Sequence, residues 1–538
     1  MTDRQLEGEP ATLPDVLAAA ARDTPDVEAY VEPATATTPR RSVTFAGWHR
    51  ASTGVAGLLA AHGVGPGTVV CLLLPSSIAY MVAYAAAARL GAVTSGINLR
   101  LGAAEVASIL ERARPTVTIV DDGMPVPTGP AGTVVTWAEA AAAQDGPGPA
   151  TWPALDPSDP VAVVWTSGTT GLPKGAVFDH ASLRAVAAGT DVLSAPGDRR
   201  LSPLPFAHVG SMTRTWDEAA AAITTVITPT PWTAAAQVAV MEAERITVAQ
   251  GVPTQWALVL AQPALGQAAL SSLRVAGTGA SRVPAELVAA MRDALGVAVV
   301  VRYTSTEASL GTGTVPGDPD EAVATTVGRP VPGVEISLVD DDGAAVAPGA
   351  VGRVRLRSAA VMRGYWGGPL TGRGAAGVTY DAAATAAVLG ADGWLTTGDY
   401  GRLDDDGRLA LVGRANELYI RGGYNVYPAE VEAALGDHPG VAQVAVVGGP
   451  DPVLGEIGVA FVVLEGGSAD GAGGSGAAAD EAALLAGLRA RARERLADYK
   501  APDRLVVVDV LPLTSMMKVD KRVLAEQAAL VTMGAEAP

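Results

Sequence analysis

Apolar and polar positions follow changing rhythms along this chain, and the changes divide it. From about Leu13 to Val120, helical spacing is interleaved with short apolar runs. A strand-like step at Ser42–Thr44 leads into a helix over Trp48–His62. The run Gly67–Leu74 reads as a buried strand, and a helix follows around Ile78–Leu90. The alternation recurs through Ala162–Ala176, Val226–Ile227 and Val299–Tyr303, which predicts a mostly parallel sheet covered by helices. After Gly333 the texture becomes β-rich, with short strands Glu335–Val339 and Gly352–Arg357 flanking the turn Asp340–Gly343. Near Gly413 it shifts again. A helix starts at Pro428–Leu435, strands fall at Val441–Val447 and Gly458–Leu464, and a helix over Glu481–Leu496 precedes a strand at Arg504–Val510. The Gly/Ala/Ser-rich stretch Glu465–Asp480 predicts a flexible surface loop.

A length of 538 residues and a hydrophobic fraction of 49% suit several packed units with a large core. The most apolar region, Val69–Ala88, is cut by Pro75, Ser76 and Ser77 and closed by Arg89. It reads as strand, turn and helix, not as a membrane span. The opening residues are acidic and polar, without a signal-peptide pattern. Cys71 is the only cysteine, so an internal disulfide and a thiolate metal cluster are both excluded. The expectation is a soluble cytoplasmic protein without stable membrane insertion. A formal charge of −18 argues against nucleic acid and anionic membranes as partners. It leaves nucleotides open, because backbone N–H groups and a few local cations can hold phosphates. Only four of the 38 basic residues are lysines, namely Lys174, Lys500, Lys518 and Lys521, and three of them fall in the motifs below.

The strongest segment is TSGTTGLPKG, Thr166–Gly175, directly after the apolar run Val161–Trp165. Gly168 and Gly171 let the backbone turn and approach a ligand closely. Thr166, Ser167, Thr169 and Thr170 supply hydroxyls, and Lys174 adds a cation. A strand feeding such a loop suits a polyphosphate. It does not match the Walker pattern, in which Gly-Lys-Ser/Thr opens a helix.

With this loop the chain resembles the AMP-forming adenylate superfamily of acyl-CoA synthetases, peptide-synthetase adenylation domains and luciferases, and most of all its acyl-CoA ligases. Further motifs follow in the family's order over nearly the whole chain. They are PFAHVG at Pro205–Gly210, GTGA at Gly277–Ala280, YTSTE at Tyr303–Glu307, TGD at Thr397–Asp399, the hinge and following loop within Gly413–Glu432, YKAP at Tyr499–Pro502, and LPLTSMMK at Leu511–Lys518. The resemblance implies an α/β fold: a large N-terminal AMP-binding domain of stacked αβ sheets over 1–414, including a β-rich subdomain at about 333–412. A small mobile α+β domain over 415–538 would be joined to it by a hinge near Asn416.

It also implies a function: a carboxylic acid attacks ATP to give acyl-AMP, and the acyl group then passes to the thiol of coenzyme A. In that reading Gly279, Ala280 and Tyr303 face adenine, while Thr306 meets the α-phosphate and Glu307 is the Mg²⁺ ligand. Asp399 accepts the ribose hydroxyls, Arg414 lies near ribose and phosphates, and Lys518 neutralises the charge that builds up in adenylation. Gly422, Gly423 and Tyr424 help form the pantetheine passage after domain rotation. His208, Met212, Trp216, Trp256, Gly277 and Thr304 are expected around the acid. Arg214 either pairs with a second polar group or faces solvent, solvent being favoured.

Four departures from the family pattern stand out: Asn416 at the hinge, Glu417 after it where aspartate is also common, Thr304 where glycine is usual, and Met517 in place of the glycine before Lys518. Met517 lacks glycine's backbone freedom. This leaves open a thioesterification enzyme fed with acyl-AMP by a partner adenylating enzyme. An adenylating enzyme that loads a carrier protein also stays open, as does a catalytically silent nucleotide- or acyl-binding protein. Dimers are common in the family, so a homodimer is compatible with the resemblance.

Overall fold

The computed structural model describes residues 10–125, 127–166, 173–279, 283–465, 475–514 and 517–532. Of the expected site residues, Ser167, Gly168, Thr169, Thr170, Gly171 and Ala280 lie outside these ranges.

Two sheets build the large N-terminal domain. One has six strands in the order Thr133–Thr136, Val117–Val120, Val69–Leu73, Val93–Gly96, Pro160–Thr166 and Lys174–Asp179. Its first five are parallel and the last is antiparallel. The other has nine strands, with a parallel centre through Ala298–Tyr303, Val275–Gly279, Val248–Gly251, Arg199–Ser202, Thr224–Ile227 and Glu28–Glu32. The helix Ile78–Arg89 touches strands of both sheets. Every position from Tyr80 to Ala88 is buried, and the alanines let neighbours approach closely. A helix apolar all round belongs between layers. Beside it, Phe45–Ala61 starts where the Thr44 hydroxyl accepts from the Gly47 N–H, three residues before the helix the sequence predicts.

The β-rich unit is an antiparallel sheet of Glu335–Val339, Gly352–Arg357, Leu395–Leu403 and Leu409–Arg414. Strict alternation in GRVRLR puts Val354 and Leu356 inside and the arginines outward. A smaller C-terminal α+β domain follows. Its sheet orders Tyr424–Val426, Tyr419–Arg421, Gly455–Leu464 and Val441–Asp451, with Arg504–Val507 parallel to Gly455–Leu464. The helices Pro428–Leu435, Ser475–Arg495 and Lys521–Thr532 complete it. The last part of the stretch expected to be a loop is therefore helical. Ser475–Asp480 carries a run of alanines, and alanine's helix propensity outweighs its low complexity. Among the described residues, no helix is long and apolar enough to cross a membrane.

Candidate active site

Asp399 is the centre of the site. It lies on Leu395–Leu403 directly across from Arg414, its register partner on Leu409–Arg414. The Arg414 Nε–H donates to Asp399 Oδ1 at 2.8 Å. The Tyr303 hydroxyl, at the end of a central strand of the nine-stranded sheet, donates to Asp399 Oδ2 at 2.6 Å. One carboxylate thus ties the β-rich sheet to the main one. Burial, followed by the Asp399 charge, pushes the Tyr303 phenol well above its usual range, so it stays a donor. The Arg414 guanidinium is held above its usual range although burial works against it, because Asp399 outweighs that cost. Each Asp399 oxygen keeps a second lone pair for another donor. Nearby, a Cβ on Gly279 would collide with the Arg302 carbonyl, so only glycine allows that close strand approach.

A second cluster holds the groups suited to phosphate and metal. Thr166 and Lys174 are register partners on antiparallel strands, so the glycine-rich segment between them leaves and returns at one point of the sheet edge. The Lys174 ammonium lies 5.4 Å from the centre of the Tyr365 ring. The Tyr365 hydroxyl donates to Glu307 Oε1 at 2.6 Å, and burial, followed by the Glu307 charge, raises its pKa. The Glu307 carbonyl accepts from Met362 N–H at 2.8 Å, and Thr306 lies half-buried beside it. Tyr365 therefore joins Lys174, at the end of the glycine-rich segment, to the carboxylate. No local pattern in the sequence marks it. Among the described residues no group of three or more His, Cys, Asp or Glu could cage a metal. A single carboxylate completed by phosphates and waters is the usual Mg²⁺ arrangement, and Glu307 fits it.

Lys518 approaches Asp399 and Arg414 from the C-terminal domain. Its pKa is lowered, first by burial and then by the Arg414 charge, with Asp399 opposing. Its own charge reaches His208, which burial and Lys518 together hold down to about 4. His208 caps the short helix Val209–Met212, and its Nδ1 accepts the Gly210 N–H at 3.1 Å. That leaves the proton of a neutral ring on Nε2. Met517 reaches this position at φ +60°, a backbone region that disfavours methionine. Its carbonyl accepts the Thr254 hydroxyl at 2.7 Å. The departure at Met517 is thus absorbed as local strain, with Lys518 still beside the site.

The expected acid-binding residues divide. Met212, Trp216 and Trp256, expected to make the acid site apolar, are buried in the cores at 1%, 4% and 0% exposure. The Trp256 indole N–H donates to the Gly277 carbonyl at 3.0 Å, which fixes that strand from behind. Thr304, expected to narrow the pocket, is exposed. Arg214 neither faces solvent nor is left for a ligand. Its guanidinium binds Asp217 at 2.7 and 2.9 Å and Ser194 at 2.8 Å, beside the buried Arg200–Asp217 pair. Two open cavities of about 470 and 610 Å³ lie elsewhere, and none of the expected site residues lines them.

Gly422 and Gly423 form the tight turn between Tyr419–Arg421 and Tyr424–Val426, with φ +57° and +88°, a backbone that favours glycine. Tyr424 is exposed and stacks on Tyr499, with ring centres 4.6 Å apart.

Residues 17–366 match the model of the AMP-binding enzyme family, and residues 430–518 match that of the AMP-binding enzyme C-terminal domain. The indoleacetate–CoA ligase of Aromatoleum aromaticum is 34% identical over 502 residues, covering 90% of this chain and 92% of its own. A methyl-dioxo-octahydro-indenyl propanoyl:CoA ligase of Mycobacterium tuberculosis is 36% identical over 499 residues, covering 88% and 91%. Among solved structures, an anthranilate CoA ligase in complex with anthranoyl-AMP superposes with a TM-score of 0.84 at 26% identity, covering 99% of this chain and 100% of that one. The chain belongs to the AMP-binding enzyme family, among its AMP-forming acid–thiol ligases.

Proposed function

We propose that this chain activates a ring-bearing carboxylic acid with Mg²⁺-ATP and passes it to coenzyme A, with both half-reactions on the one site described. The observation that carries the reading is the Lys518 segment held to the large domain through the Thr254–Met517 bond at 2.7 Å, with Lys518 near enough for its charge to act on His208 and to feel Arg414 and Asp399. In this arrangement Asp399 and Tyr303 bind the nucleoside, Arg414 and Lys518 offset charge at the α-phosphate, and Thr306 donates to it. Lys174 and Glu307 serve the outer phosphates. A Mg²⁺ held by Glu307 would neutralise phosphate charge. Positioning and charge stabilisation then supply most of the rate. Neutral His208, donating from Nε2, orients the acid.

The hinge reading has physical support on both sides of Asn416. Before it, the Ala415 N–H donates to the Gly398 carbonyl at 2.8 Å. After it, Glu417 pairs with Lys521 at 3.0 Å, and Lys521 with Glu432 at 2.8 Å, inside the small domain. Asn416 is exposed between these two sets of contacts, which supports a hinge there and domains meeting at 414 and 415. Rotation there would carry Lys518 away and bring the Gly422–Tyr424 turn to the site for the thiol. A cytoplasmic location follows from the substrates.

The ring-bearing acid is favoured by the names of the relatives, which act on indoleacetate, an indenyl propanoate and, at 35% identity, ferulate. The test supplies ATP, Mg²⁺, CoA and a panel of aryl, polycyclic and straight-chain acids. Parallel reactions supply synthetic acyl-AMPs with CoA and no ATP. Thioester from ring acids in both series supports the reading. Product from acyl-AMP alone favours the thioesterification-only enzyme, and straight-chain preference overturns the acid class.

A further inference from the structure

We propose that the Thr254 hydroxyl is the latch that positions Lys518 for acyl-adenylate formation, an inference that rests on Lys518 acting in that half-reaction. Thr254 sits in the first turn of the large-domain helix Pro253–Leu260. Its hydroxyl is not spent on capping that helix, because the Gln255 side chain already accepts the Val252 N–H at 3.0 Å. Instead it donates across the domain interface to the Met517 carbonyl at 2.7 Å, one residue before Lys518.

The segment it grips is braced from within. The Thr514 N–H donates to the Lys518 carbonyl at 2.7 Å, the Met517 N–H to the Thr514 carbonyl at 2.9 Å, and the Lys518 N–H to the Thr514 hydroxyl at 3.3 Å. A contact at Met517 therefore fixes the root of the Lys518 side chain. The acceptor is a carbonyl, so the contact does not depend on the side chain at 517. Holding Met517 at φ +60° requires a partner that favours the seated form, and Thr254 supplies one. Because the hydrogen bond exists only when the small domain is seated for adenylation, it lowers that barrier and leaves the thiol half-reaction alone. Thr254 acts through the Lys518 segment and is a positioning residue.

The test compares full-length Thr254→Val, Thr254→Ala and Thr254→Ser with the parent in two assays: single-turnover acyl-AMP formation, and thioester formation from synthetic acyl-AMP and CoA. Loss of one neutral hydrogen bond predicts about fivefold slower acyl-AMP formation in the Val and Ala variants. Serine restores the rate, and thioester formation is unchanged. In a Lys518→Ala background, adding Thr254→Val costs nothing further. Unchanged adenylation in Val and Ala, equal losses in both half-reactions, or the same fivefold loss without Lys518 each overturn the latch. If Lys518→Ala alone leaves adenylation intact, the reading of Lys518 fails instead, so the two failures are distinguishable.

Discussion

Met517 stands at φ +60° directly before Lys518, and the Thr254 contact is to its backbone. A left-handed backbone costs a non-glycine residue about 1–2 kcal/mol. Replacing it by glycine removes that cost but adds flexibility to the unseated loop, which opposes the gain by about 0.5–1 kcal/mol. The balance favours the seated loop by up to about 1.5 kcal/mol, with a centre near ~0.8 kcal/mol. Met517→Gly should therefore speed acyl-AMP formation about three- to fivefold where seating limits the rate. Met517→Ala keeps the Cβ that causes the strain and should bring no gain. The assay is rapid-quench acyl-AMP formation at saturating ATP and acid. If alanine accelerates as much as glycine, the methionine side chain and not its backbone is the obstacle. A glycine variant slower than the parent would refute the strain argument altogether.

Three further outcomes follow from the site. Tyr365→Phe deletes a hydrogen bond to the Glu307 carboxylate while keeping the ring beside Lys174. A bond to a charged group is worth about 1.5–3 kcal/mol, so kcat/KM for ATP should fall about 10- to 100-fold with a raised Mg²⁺ requirement. Unchanged Mg²⁺ dependence would count against the metal role of Glu307. Adenylation needs charged Lys518, whose pKa burial and Arg414 lower, so activity should be lost as pH rises through a value below that of free lysine. Lys518→Arg should abolish that alkaline loss, whatever its rate. His208, held to about 4, should give no inflection between pH 6 and 7, and one that disappears in His208→Asn would contradict its neutral state.

Local pattern made the strands Glu335–Val339 and Gly352–Arg357 legible, because turn residues and alternation bracket them. The glycine- and hydroxyl-rich segment after Thr166 stands out in the sequence as a candidate phosphate loop. What it joins does not. Strand Lys174–Asp179 returns antiparallel to its neighbour, and only that pairing sets Lys174 against Thr166. The partners of Tyr365 and Thr254 were not legible because they lie 58 and 263 residues away, a separation no period reports. The partner of Trp256 was equally illegible. The apolar ring of this tryptophan suits a pocket or a core equally, and the Gly277 carbonyl that claims its N–H lies on another element. The pairing of Arg214 with Asp217 is local, three residues on one turn, and could have been read from charge spacing.

The central claim is that Lys518 serves the first half-reaction from a domain that turns away for the second. It is tested most directly by assaying Lys518→Ala in the two half-reactions separately, with pyrophosphate release from ATP and acid in one and thioester from synthetic acyl-AMP and CoA in the other. Pyrophosphate release should collapse by about 100-fold or more, as for loss of a buried group that stabilises developing charge, while thioester formation stays near the parent rate. Equal losses in both, or none in the first, would contradict it.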